Sequence, residues 1–583
     1  MCGFLGCIDA DIEVARAMKS LTHRGPDAQG EYERDGLFLR HFRLAIIGAE
    51  ATAHQPMLAL NGKVQLVFNG EIYNYKELAA WMGCPDLADQ GDTRVLVEFL
   101  STYGIGHIER LNGMFAFAAY FEDTGELYLV RDRFGVKPLY YLHHRGGMYF
   151  ASEIKSLRSI QPCSLNYQKV IRYLDTATYP EGANTFYEDI IQLEAGTWIR
   201  YQNGKTEIRR WYDLAAEISS LKDVTLTVPE YEALLEDAIR LRLRSDVPIS
   251  LHYSAGTDST ALLLKTKEVW GWDFPLTTFT MAFEDPDVDE SGMAEIYCKR
   301  IGVNNHKVFL TPEEVPNLAL ELHGFQDEPY GGVPTIAYYR MNQVERQLGY
   351  LVSIEGQGGD EALGGYLYHV YLAIYDLHLS RSDPDLLRLM LQIHNTDLET
   401  AITAAERLIA AGFQSHTDMT NIRGVNSLPK EKFMDWLSTI QLYDVLVNKI
   451  PRTLRFNDRA SMACGREVRF PLLDYRVLTY GIAFDHQVKY AGGNPKAPLR
   501  EIIRRHLLGV YDAPKRSVVT PQTKWLKDEL KPWALERIDV LRSSGFLPQH
   551  FLNESDSFYR DPAPTNSFPI WQLINLSFFF DFQ

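Results

Sequence analysis

The spacing of apolar and polar positions divides the chain into two regions. Up to about residue 205, short strand-like runs alternate with turn signals such as NG, DTG and RGG. The predicted strands are GLFLRHFRLAII, KVQLVFN, MFAFAAYF, ELYLVRD and PLYYLHH. Two amphipathic runs, IEVARAMKSL and DTRVLVEFLSTY, predict helices between them. This pattern indicates a layered α+β domain with helices outside antiparallel sheets.

From Glu230 onward, helical stretches alternate with isolated apolar strands. The predicted strands are PISLHYS, PLTTFTMAF, HKVFL and YLVSI. Such alternation is typical of a parallel sheet with crossover helices, and past Tyr366 the pattern becomes mostly helical. Because the strand pattern changes within residues 213–229, we take that segment as the inter-domain connection. We therefore expect one domain at residues 1–212 and a second at 229–583.

The stretch PISLHYSAGTDST, at residues 248–260, predicts an anion site. It is a strand, a turn from Ser254 to Asp258, and a helix that starts near Ser259. The first N–H groups of a helix lack partners and its dipole is positive there, so the turn suits a phosphate chain. Gly256 allows close approach, and Asp258 makes sense there if it holds a cation such as magnesium. On these residues alone, an ordinary N-capped helix is an equal alternative.

Composition narrows the function classes. A length of 583 residues exceeds one hydrophobic core, so two or three domains are expected. A net charge of -17 argues against nucleic-acid binding. No apolar run approaches the roughly 20 residues that span a bilayer, and no signal-peptide pattern is present. The six cysteines have neither disulfide-scaffold density nor metal-site spacing. We expect a cytoplasmic protein that binds neither nucleic acid nor membrane.

Cys2 is informative because of its position. If Met1 is removed, Cys2 carries a thiol and a free α-amine, and an amine with a pKa near ~8 can act as base for a thiol near ~8.5. The alternative is a small buried cysteine at the start of a strand. Five segments make the first interpretation stronger: HRGPD at 23–27, RLAIIG from Arg43, HQPM at 54–57, FNGEIYN at 68–74 and GDT at 91–93.

These segments, in this order, resemble the class II glutamine amidotransferase domain. That domain is an N-terminal-nucleophile hydrolase, so the resemblance implies an αββα sandwich. It also implies that Cys2 attacks the side-chain amide of glutamine. The Asn69 side chain and the Gly70 N–H would form the oxyanion hole.

The same resemblance assigns the glutamine-binding residues. Arg43 would pair with the α-carboxylate of glutamine, because a guanidinium matches a carboxylate. Asp92, with help from Glu71, would hold the α-ammonium.

The second half resembles the asparagine synthetases. The turn at 254–258 resembles the pyrophosphate loop of ATP pyrophosphatases, usually SGGxDS, and IEGQGGDEALGGY at 354–366 resembles their second ATP-site loop. NDRASMACGREVRFPLLD at 457–474 and NPKAPLRE at 494–501 match later motifs of the family. The resemblance covers nearly the whole chain and implies an α/β parallel-sheet ATP-pyrophosphatase domain with a helical C-terminal part.

The resemblance also implies a reaction. An acceptor carboxylate attacks the α-phosphorus of ATP, pyrophosphate leaves, and ammonia from the N-terminal site displaces AMP from the acyl-adenylate. Free ammonia would be mostly protonated at neutral pH, so we expect a dry internal passage between the sites. The implied ATP- and pyrophosphate-binding residues are Ser254, Gly256, Asp258, Ser259, Gly356, Asp360 and Lys496.

The side chains suit the roles that the resemblance implies. Asp258 and Asp360 would share magnesium, so ATP and Mg²⁺ are the expected cofactors. Lys496 would neutralise charge growing on the α-phosphate and the leaving group. Glu361 would orient the loop or the substrate. Arg459 is a candidate for acceptor recognition, with a helix-surface or salt-bridge role as an equal alternative.

Several positions depart from the family pattern. Ala255 stands where glycine is usual, and Thr257 replaces an aliphatic residue. In the preceding strand, His252 replaces an apolar residue, and we expect it to be buried, neutral and hydrogen-bonded.

The later loop departs most. The usual SGEGSDE reads EGQGGDE, with Gln357 in place of the glutamate implicated in acyl transfer. Glutamine cannot accept a proton at working pH, so that base is absent or has moved. Glu355, where serine is usual, could replace it only if the loop turned. Gln357 is therefore a second candidate for acceptor recognition.

The leading hypothesis is an enzyme that makes an amide from glutamine, ATP and a carboxylic acid, with L-aspartate as the default acid and L-asparagine as product. One alternative is amidation of another carboxylate, in an envelope, peptide or secondary-metabolite precursor. A second is a ring-closing ligase of the β-lactam-synthetase type, against which the complete Cys2 set counts. A third is a degenerate homologue with a binding or scaffolding role. The oligomeric state stays open, a homodimer being one alternative.

Overall fold

The computed structural model describes residues 2–34, 36–48, 53–410, 435–507 and 520–580. The first half contains two six-stranded antiparallel sheets. Their strand orders are β10-β8-β9-β1-β3-β2 and β12-β11-β7-β6-β5-β4. The strands are β1 Gly3–Ile8, β2 Ala28–Arg34, β3 Leu37–Arg43, β4 Met57–Leu58, β5 Val64–Ile72, β6 Gly113–Phe121, β7 Glu126–Arg131, β8 Tyr140–His144, β9 Gly147–Ala151, β10 Ile191–Gln192, β11 Thr197–Gln202 and β12 Lys205–Arg210.

Helices cover the outer faces of these sheets. The helices of this half are α1 Ile12–Arg16, α2 Tyr75–Trp81, α3 Asp92–Tyr103, α4 Ile154–Arg158, α5 Tyr167–Thr176 and α6 Leu214–Ser220. Successive residues of a strand point to opposite faces. On β5, Val67 packs between the sheets with Phe4 of β1. Its neighbour Phe68 packs outward against Phe99 of α3, while α1 and α4 cover the first sheet. The predicted αββα sandwich is confirmed.

The predicted strands of this half correspond to β3, β5, β6, β7 and β8. The predicted second helix corresponds to α3. The first is shorter than predicted: it ends at Arg16, and Met18 and Leu21 enter the core from an irregular segment instead. Burial in the tertiary structure has overridden the local helical pattern there.

The second half is built on a parallel sheet of five strands in the order β15-β14-β13-β16-β17. The strands are β13 Ile249–His252, β14 Thr277–Ala282, β15 Asn304–Phe309, β16 Val352–Ile354 and β17 Glu467–Arg469. The predicted parallel sheet is confirmed, although β17 was not predicted. The chain leaves the central strand β13 toward β14 on one side and later returns to β16 on the other. Ligands of open α/β sheets bind at such a switch point, beyond the carboxyl ends of the strands.

Helices surround this sheet and continue past it. They are α7 Val228–Arg242, α8 Thr257–Trp270, α9 Ser291–Ile301, α10 Val315–Gln326, α11 Val333–Gln347, α12 Gly359–Ala362, α13 Leu367–Ser380, α14 Pro384–Ile393, α15 Leu398–Ala410, α16 Trp436–Tyr443, α17 Lys449–Ala463, α18 Tyr475–Ala483, α19 His486–Lys489, α20 Ala497–His506, α21 Gln522–Lys527, α22 Lys531–Ser544, α23 Gln549–Arg560 and α24 Phe568–Ser577. A π-helix at Asp444–Asn448 joins α16 to α17. Short 3-10 helices lie at Pro85–Gln90, Ile105–Arg110, Pro312–Glu314, Pro471–Leu473, Ala491–Gly493 and Phe578–Phe580.

The helices of the described ranges include none that is both long enough and apolar enough to cross a membrane. All six cysteines lie in those ranges, and all are free thiols.

The C-terminal helix α24 anchors the helical part to the rest of the second half. Trp571 is fully buried, and its indole N–H donates to the carbonyl of Tyr330 at 3.1 Å. Replacing Trp571 by alanine leaves a large cavity, so we expect a loss of about 3–5 kcal/mol of unfolding free energy. Chemical or thermal denaturation measures this loss.

The matched control is Trp272→Ala, because Trp272 is 47% exposed. A surface change of this kind is expected to alter stability by no more than about 0.5 kcal/mol. Equal effects of the two substitutions would contradict the assigned core.

Candidate active sites

The structure places Cys2 beside Asn69 at the edge between the two antiparallel sheets. The Cys2 backbone N–H donates to Asn69 Oδ1 at 3.1 Å. Asn69 is fully buried on β5, and within the described part of the chain its Nδ2 has no hydrogen-bond partner. Burial raises the pKa of the Cys2 thiol, and the charge of Arg43 lowers it. Because Asn69 Nδ2 has no partner among the described residues, this side-chain amide can donate to a ligand beside the Cys2 thiol.

Gly70 occupies a position that no other residue fits. Its φ is +151°, and a Cβ there would lie 2.0 Å from the Met114 carbonyl oxygen on the neighbouring strand β6. The close packing of β6 against β5 therefore leaves no room for a side chain at position 70.

Arg43, Glu71 and Asp92 supply charges to the same site. Arg43 Nη2 donates to the Gly48 carbonyl at 3.1 Å, while its buried Nη1 has no hydrogen-bond partner among the residues described. Asp92 begins α3, and its carboxylate accepts from the N–H groups of Ile72 at 3.0 Å and Thr93 at 2.7 Å.

The two carboxylates at this site repel each other. Burial raises the pKa of Asp92 to about 6. Burial and the charge of Asp92 also raise the pKa of Glu71 well above its usual range. A bound cation would relieve this repulsion, which is the chemistry expected of an ammonium-binding site.

The candidate nucleotide loop, the turn at 254–258, follows the central strand β13. Helix α8 begins at Thr257, with Gly256 as its N-cap, two residues earlier than predicted. Ser254 Oγ lies 3.2 Å from Ser259 Oγ, so the two hydroxyls converge. Ala255 has a φ of +57°, which costs a non-glycine residue roughly 1–2 kcal/mol. The strained position of the loop is therefore Ala255, where the family pattern has glycine, and Gly256 has an ordinary φ of -72°.

The second loop packs directly against the first. A Cβ at Gly356 would lie 3.0 Å from Asp258 Cβ, and one at Gly359 would lie 2.5 Å from Asp258 Oδ1. Lys496 Nζ bridges the loops, 2.7 Å from Asp258 Oδ2 and 2.5 Å from Asp360 Oδ1. Burial disfavours the ammonium, but the charges of the two aspartates outweigh it and raise the pKa of Lys496.

Glu361 and Gly365 complete this cluster. Glu361 is buried and accepts from the Tyr366 hydroxyl at 2.6 Å. Burial, with the charge of Asp360, raises the pKa of Glu361 to about 7. A Cβ at Gly365 would lie 1.9 Å from Asp360 Oδ1, so this glycine is required for the close approach. Gly365 belongs to the quoted GGY motif, but its role was not predicted.

Comparison with known proteins agrees with this geometry. The sequence profile of the family described as "Asparagine synthase" matches residues 230–578. The profile described as "Glutamine amidotransferase domain" matches residues 1–212. The chain belongs to the asparagine synthase family. It is a glutamine-dependent amidotransferase, a carbon–nitrogen ligase of the glutamine-hydrolysing asparagine synthase type, with glutamine and ATP as substrates.

Relatives of this asparagine synthase family member carry two kinds of name. It is 25% identical to the glutamine-hydrolysing asparagine synthetase 1 of Bacillus subtilis, over 98% of this chain and 95% of that protein. It is 28% identical to amidase chry2 of Gibberella zeae, over 61% of this chain and 55% of that protein. It is 24% identical to amidase chyE of Penicillium rubens, over 88% of this chain and 85% of that protein.

His252 differs from the sequence prediction. It is buried and hydrogen-bonded as predicted, with Nε2 2.7 Å from Glu345 Oε2 and Nδ1 2.8 Å from Glu355 Oε1. Burial lowers its pKa, but the two carboxylates outweigh burial and raise the pKa of His252 to about 9. The prediction of a neutral histidine was therefore wrong. The carboxylates come from α11 and from the end of β16, which the local sequence around His252 does not reveal.

Glu355 is held away from the position of the missing base. It is 2% exposed, and its Oε1 also accepts from the Tyr338 hydroxyl at 2.6 Å. Its Oε2 accepts from Asn457 Nδ2 at 3.2 Å. The turned loop that would let Glu355 replace the base is not observed. Gln357 Oε1 is buried and makes no hydrogen bond within the described ranges.

Arg459 lies at the contact between the two halves. Its Nη1 donates to the Ser152 carbonyl at 3.1 Å and lies 3.2 Å from Glu153 Oε1. These are the contacts of the salt-bridge alternative. Acceptor recognition by Arg459 stays a prediction.

Sequence reasoning missed the charged residues that join the halves. Arg24 Nη1 and Nη2 donate to the two carboxylate oxygens of Asp458 at 2.8 and 3.1 Å. Arg24 Nη1 also donates to Glu153 Oε1 at 2.7 Å. On the glutaminase side, Arg24 Nε donates to the Cys2 carbonyl at 3.1 Å. Arg24 and Asp458 stand inside the quoted HRGPD and NDRASMA segments, but nothing local indicates that they pair.

His252 predicts a pH dependence of stability. Its pKa is about 9 in the folded protein and about 6.5 when unfolded, so its ion pairs contribute about 3 kcal/mol. This contribution is fully present below about pH 6.5 and is lost as the pH rises through about 9. We expect His252→Gln to lower the unfolding free energy at pH 6.5, and the difference from wild type to shrink toward pH 9.

Unfolding curves of both proteins across this pH range measure the difference. His550→Gln is the matched control, because His550 is exposed. A difference between His252→Gln and wild type that is constant with pH would show that His252 is neutral in the folded protein.

Proposed function

We propose that this enzyme activates a carboxylic acid as an acyl-adenylate and aminates it with ammonia from glutamine, L-aspartate being the default acid and L-asparagine the product. Residues 1–212 would release the ammonia, and residues 229–583 would carry out the ligation. The observation that carries the proposal is the convergence of Asp258, Asp360 and Lys496 beyond the carboxyl ends of β13 and β16.

The glutaminase step would begin with attack of Cys2 Sγ on the amide carbon of glutamine. Asn69 Nδ2 and the Gly70 N–H would hold the oxyanion, while Arg43 and the pair Asp92 and Glu71 would bind the α-carboxylate and α-ammonium. The Cys2 α-amine, freed by removal of Met1, would take the thiol proton and pass it to the departing nitrogen as the C–N bond breaks, so that ammonia leaves a thioester on Cys2. Water hydrolyses the thioester to glutamate and restores the thiol.

The ligation would begin when an acceptor carboxylate oxygen attacks the α-phosphorus of ATP. The bond to the β-phosphate oxygen breaks, and pyrophosphate leaves into the turn at 254–258. Two converging carboxylates suit a hard cation, so Asp258 and Asp360 fit magnesium, which when bound would neutralise charge on the pyrophosphate. Lys496 lies between these carboxylates and would meet the charge that grows on the leaving group.

In the last step, ammonia attacks the acyl carbon and the bond to the AMP oxygen breaks. The attacking nitrogen must lose a proton, and the side-chain amide of Gln357 cannot take it. Burial and the charge of Asp360 raise the pKa of Glu361 to about 7. A carboxylate with a pKa near neutral can accept a proton at working pH. We therefore assign Glu361 the part of proton acceptor or of orienting group beside the acyl-adenylate.

A second acceptor class has specific support. Gln357 can hydrogen-bond a neutral or extended acceptor, and its buried Oε1 has no partner in the part of the chain that is described. Two relatives bear the name amidase. Amidation of a carboxylate other than aspartate is therefore the runner-up.

The test is a screen of carboxylic acids with ATP, magnesium and glutamine, following AMP and pyrophosphate. We expect one acid to stimulate AMP formation, with one amide formed for each AMP. Cys2→Ala should lose amide formation from glutamine and keep it from added ammonium. Cys84→Ala is the matched control, because Cys84 is exposed and should change neither activity.

Lys496→Ala separates the two halves of the proposal. We expect AMP formation to fall by roughly 10²–10³ while glutamine hydrolysis persists, as for loss of one preorganised donor. Failure of every acid to stimulate AMP formation would contradict the ligation. Product without AMP would contradict the acyl-adenylate, and AMP with a different acid would replace aspartate by that acid.

A further inference from the structure

A large cavity lies between the two halves of the chain, outside both candidate active sites. Its volume is about 630 Å³, within the range of small-molecule sites. One wall comes from the first half, at 131, 133–135, 169, 172, 177–184, 192, 194–195, 210 and 212–214, and the other from the second half, at 443, 446–448, 451–452 and 455. The catalytic and binding residues assigned above are absent from its lining.

The lining of this cavity is positively charged. Seven of the described lining residues are arginine or lysine, and three are aspartate or glutamate. The whole chain has a net charge of -17. A basic cavity inside an acidic protein concentrates anions, because low-dielectric walls focus the field.

Four of these cations already have partners. Arg131 and Arg133 donate to backbone carbonyl groups. Arg210 pairs with Glu194 at 2.8 Å, and Arg455 pairs with Glu328 at 2.9 Å. These residues shape the cavity, so its capacity for an anion depends on the remaining three.

The remaining cations are Lys169, Arg172 and Arg452. Across the described ranges, the side chains of Lys169 and Arg452 make no hydrogen bond or ion pair, although both are half-buried. Among the described residues, the Arg172 side chain makes only one long contact, 3.8 Å from its Nη2 to Glu181 Oε1. Burial lowers the pKa of Lys169, and the charges of Glu188 and Glu328 oppose this shift without cancelling it. A partly desolvated cation without a side-chain partner is stabilised when an anion forms a charge-assisted hydrogen bond with it.

Two further features indicate one shared site. Burial and the charges of Glu181 and Asp444 raise the pKa of Tyr443, and the charges of Arg172 and Arg452 lower it. The two cations therefore share the neighbourhood of this phenol with two carboxylates. The adjoining wall contains the π-helix Asp444–Asn448, through Leu446, Val447 and Asn448. π-helical turns occur often at functional sites, because they widen the spacing of side chains.

We propose that this cavity binds a small, multiply charged anion, with Lys169 and Arg452 as its main partners and Arg172 at the rim. The shared chemistry is several negative charges in a molecule that fits about 630 Å³, as in phosphorylated compounds or polycarboxylates. The site is separate from the glutaminase and nucleotide sites. It therefore does not depend on which acid the enzyme amidates.

The test measures how far a bound anion protects the Lys169 amine from an uncharged, amine-reactive acylating reagent. Mass spectrometry reads the extent of acylation at each lysine. Inorganic phosphate and citrate are the two probes, each compared with chloride at equal ionic strength, without ATP or magnesium. We expect saturable protection of Lys169, about tenfold at ten times the dissociation constant of the anion. Lys205 is exposed on β12 and serves as the internal control.

The two probes separate the sources. Protection by phosphate alone indicates phosphorylated ligands, and protection by citrate alone indicates polycarboxylates; either result supports the site. Arg452→Gln should shift the protection curve to at least about tenfold higher anion concentration, because a charge-assisted hydrogen bond is lost. Arg388→Gln, at an exposed arginine of α14, should leave the curve unchanged.

Thermal unfolding gives an independent measurement. Phosphate or citrate should raise the midpoint of wild type more than that of Lys169→Gln, since a ligand stabilises only the form that binds it. Equal protection of Lys169 and Lys205, or midpoint shifts that are the same in wild type and Lys169→Gln, would overturn the proposal. So would an unchanged protection curve in Arg452→Gln that remains folded.

Discussion

The ion pair between Arg24 and Asp458 is the interaction on which the joined structure depends. Arg24 is fully buried, and besides Asp458 it contacts Glu153 and the carbonyl of Cys2. A buried guanidinium is expensive to desolvate, and removing one partner of a buried pair typically costs about 3–5 kcal/mol. The geometry of the pair therefore fixes how the glutaminase half meets the helix α17 of the ligase half. The same side chain reaches the backbone of Cys2, the proposed nucleophile.

Other contacts tie both sites to this interface. Glu71 of the glutamine site lies 3.8 Å from Arg469 on β17. The Arg469 carbonyl accepts from the Glu355 N–H at 3.0 Å, at the start of the loop that carries Asp360. The glutamine site and the nucleotide loop are thus separated by one side chain and one strand pairing. Arg469 thus contacts both the candidate glutamine site and the start of the loop that carries Asp360.

Much of this arrangement could be predicted from local sequence. The layered α+β first half followed from the pattern of strands and helices, and the anion loop followed from a strand, small residues and a helix start; the αββα sandwich came from the family resemblance. The contact of Lys496 with Asp258 was reached only through a resemblance of motifs, because the two residues are 238 positions apart. Pairing of Arg24 with Asp458, the charge of His252 and the short strand β17 were beyond prediction, because each depends on contacts distant in sequence. The strained φ of Ala255 was also hidden, since alanine carries no signal for it.

The central claim is that nitrogen moves between the two sites inside one folded unit. Glutamine labelled with ¹⁵N in its amide, supplied with ATP, the active acid and a large excess of unlabelled ammonium, tests it most directly. The account predicts that almost all of the product amide carries ¹⁵N, because ammonia reaches the acyl-adenylate without entering solvent. A product whose isotope content follows the bulk ammonium would contradict it.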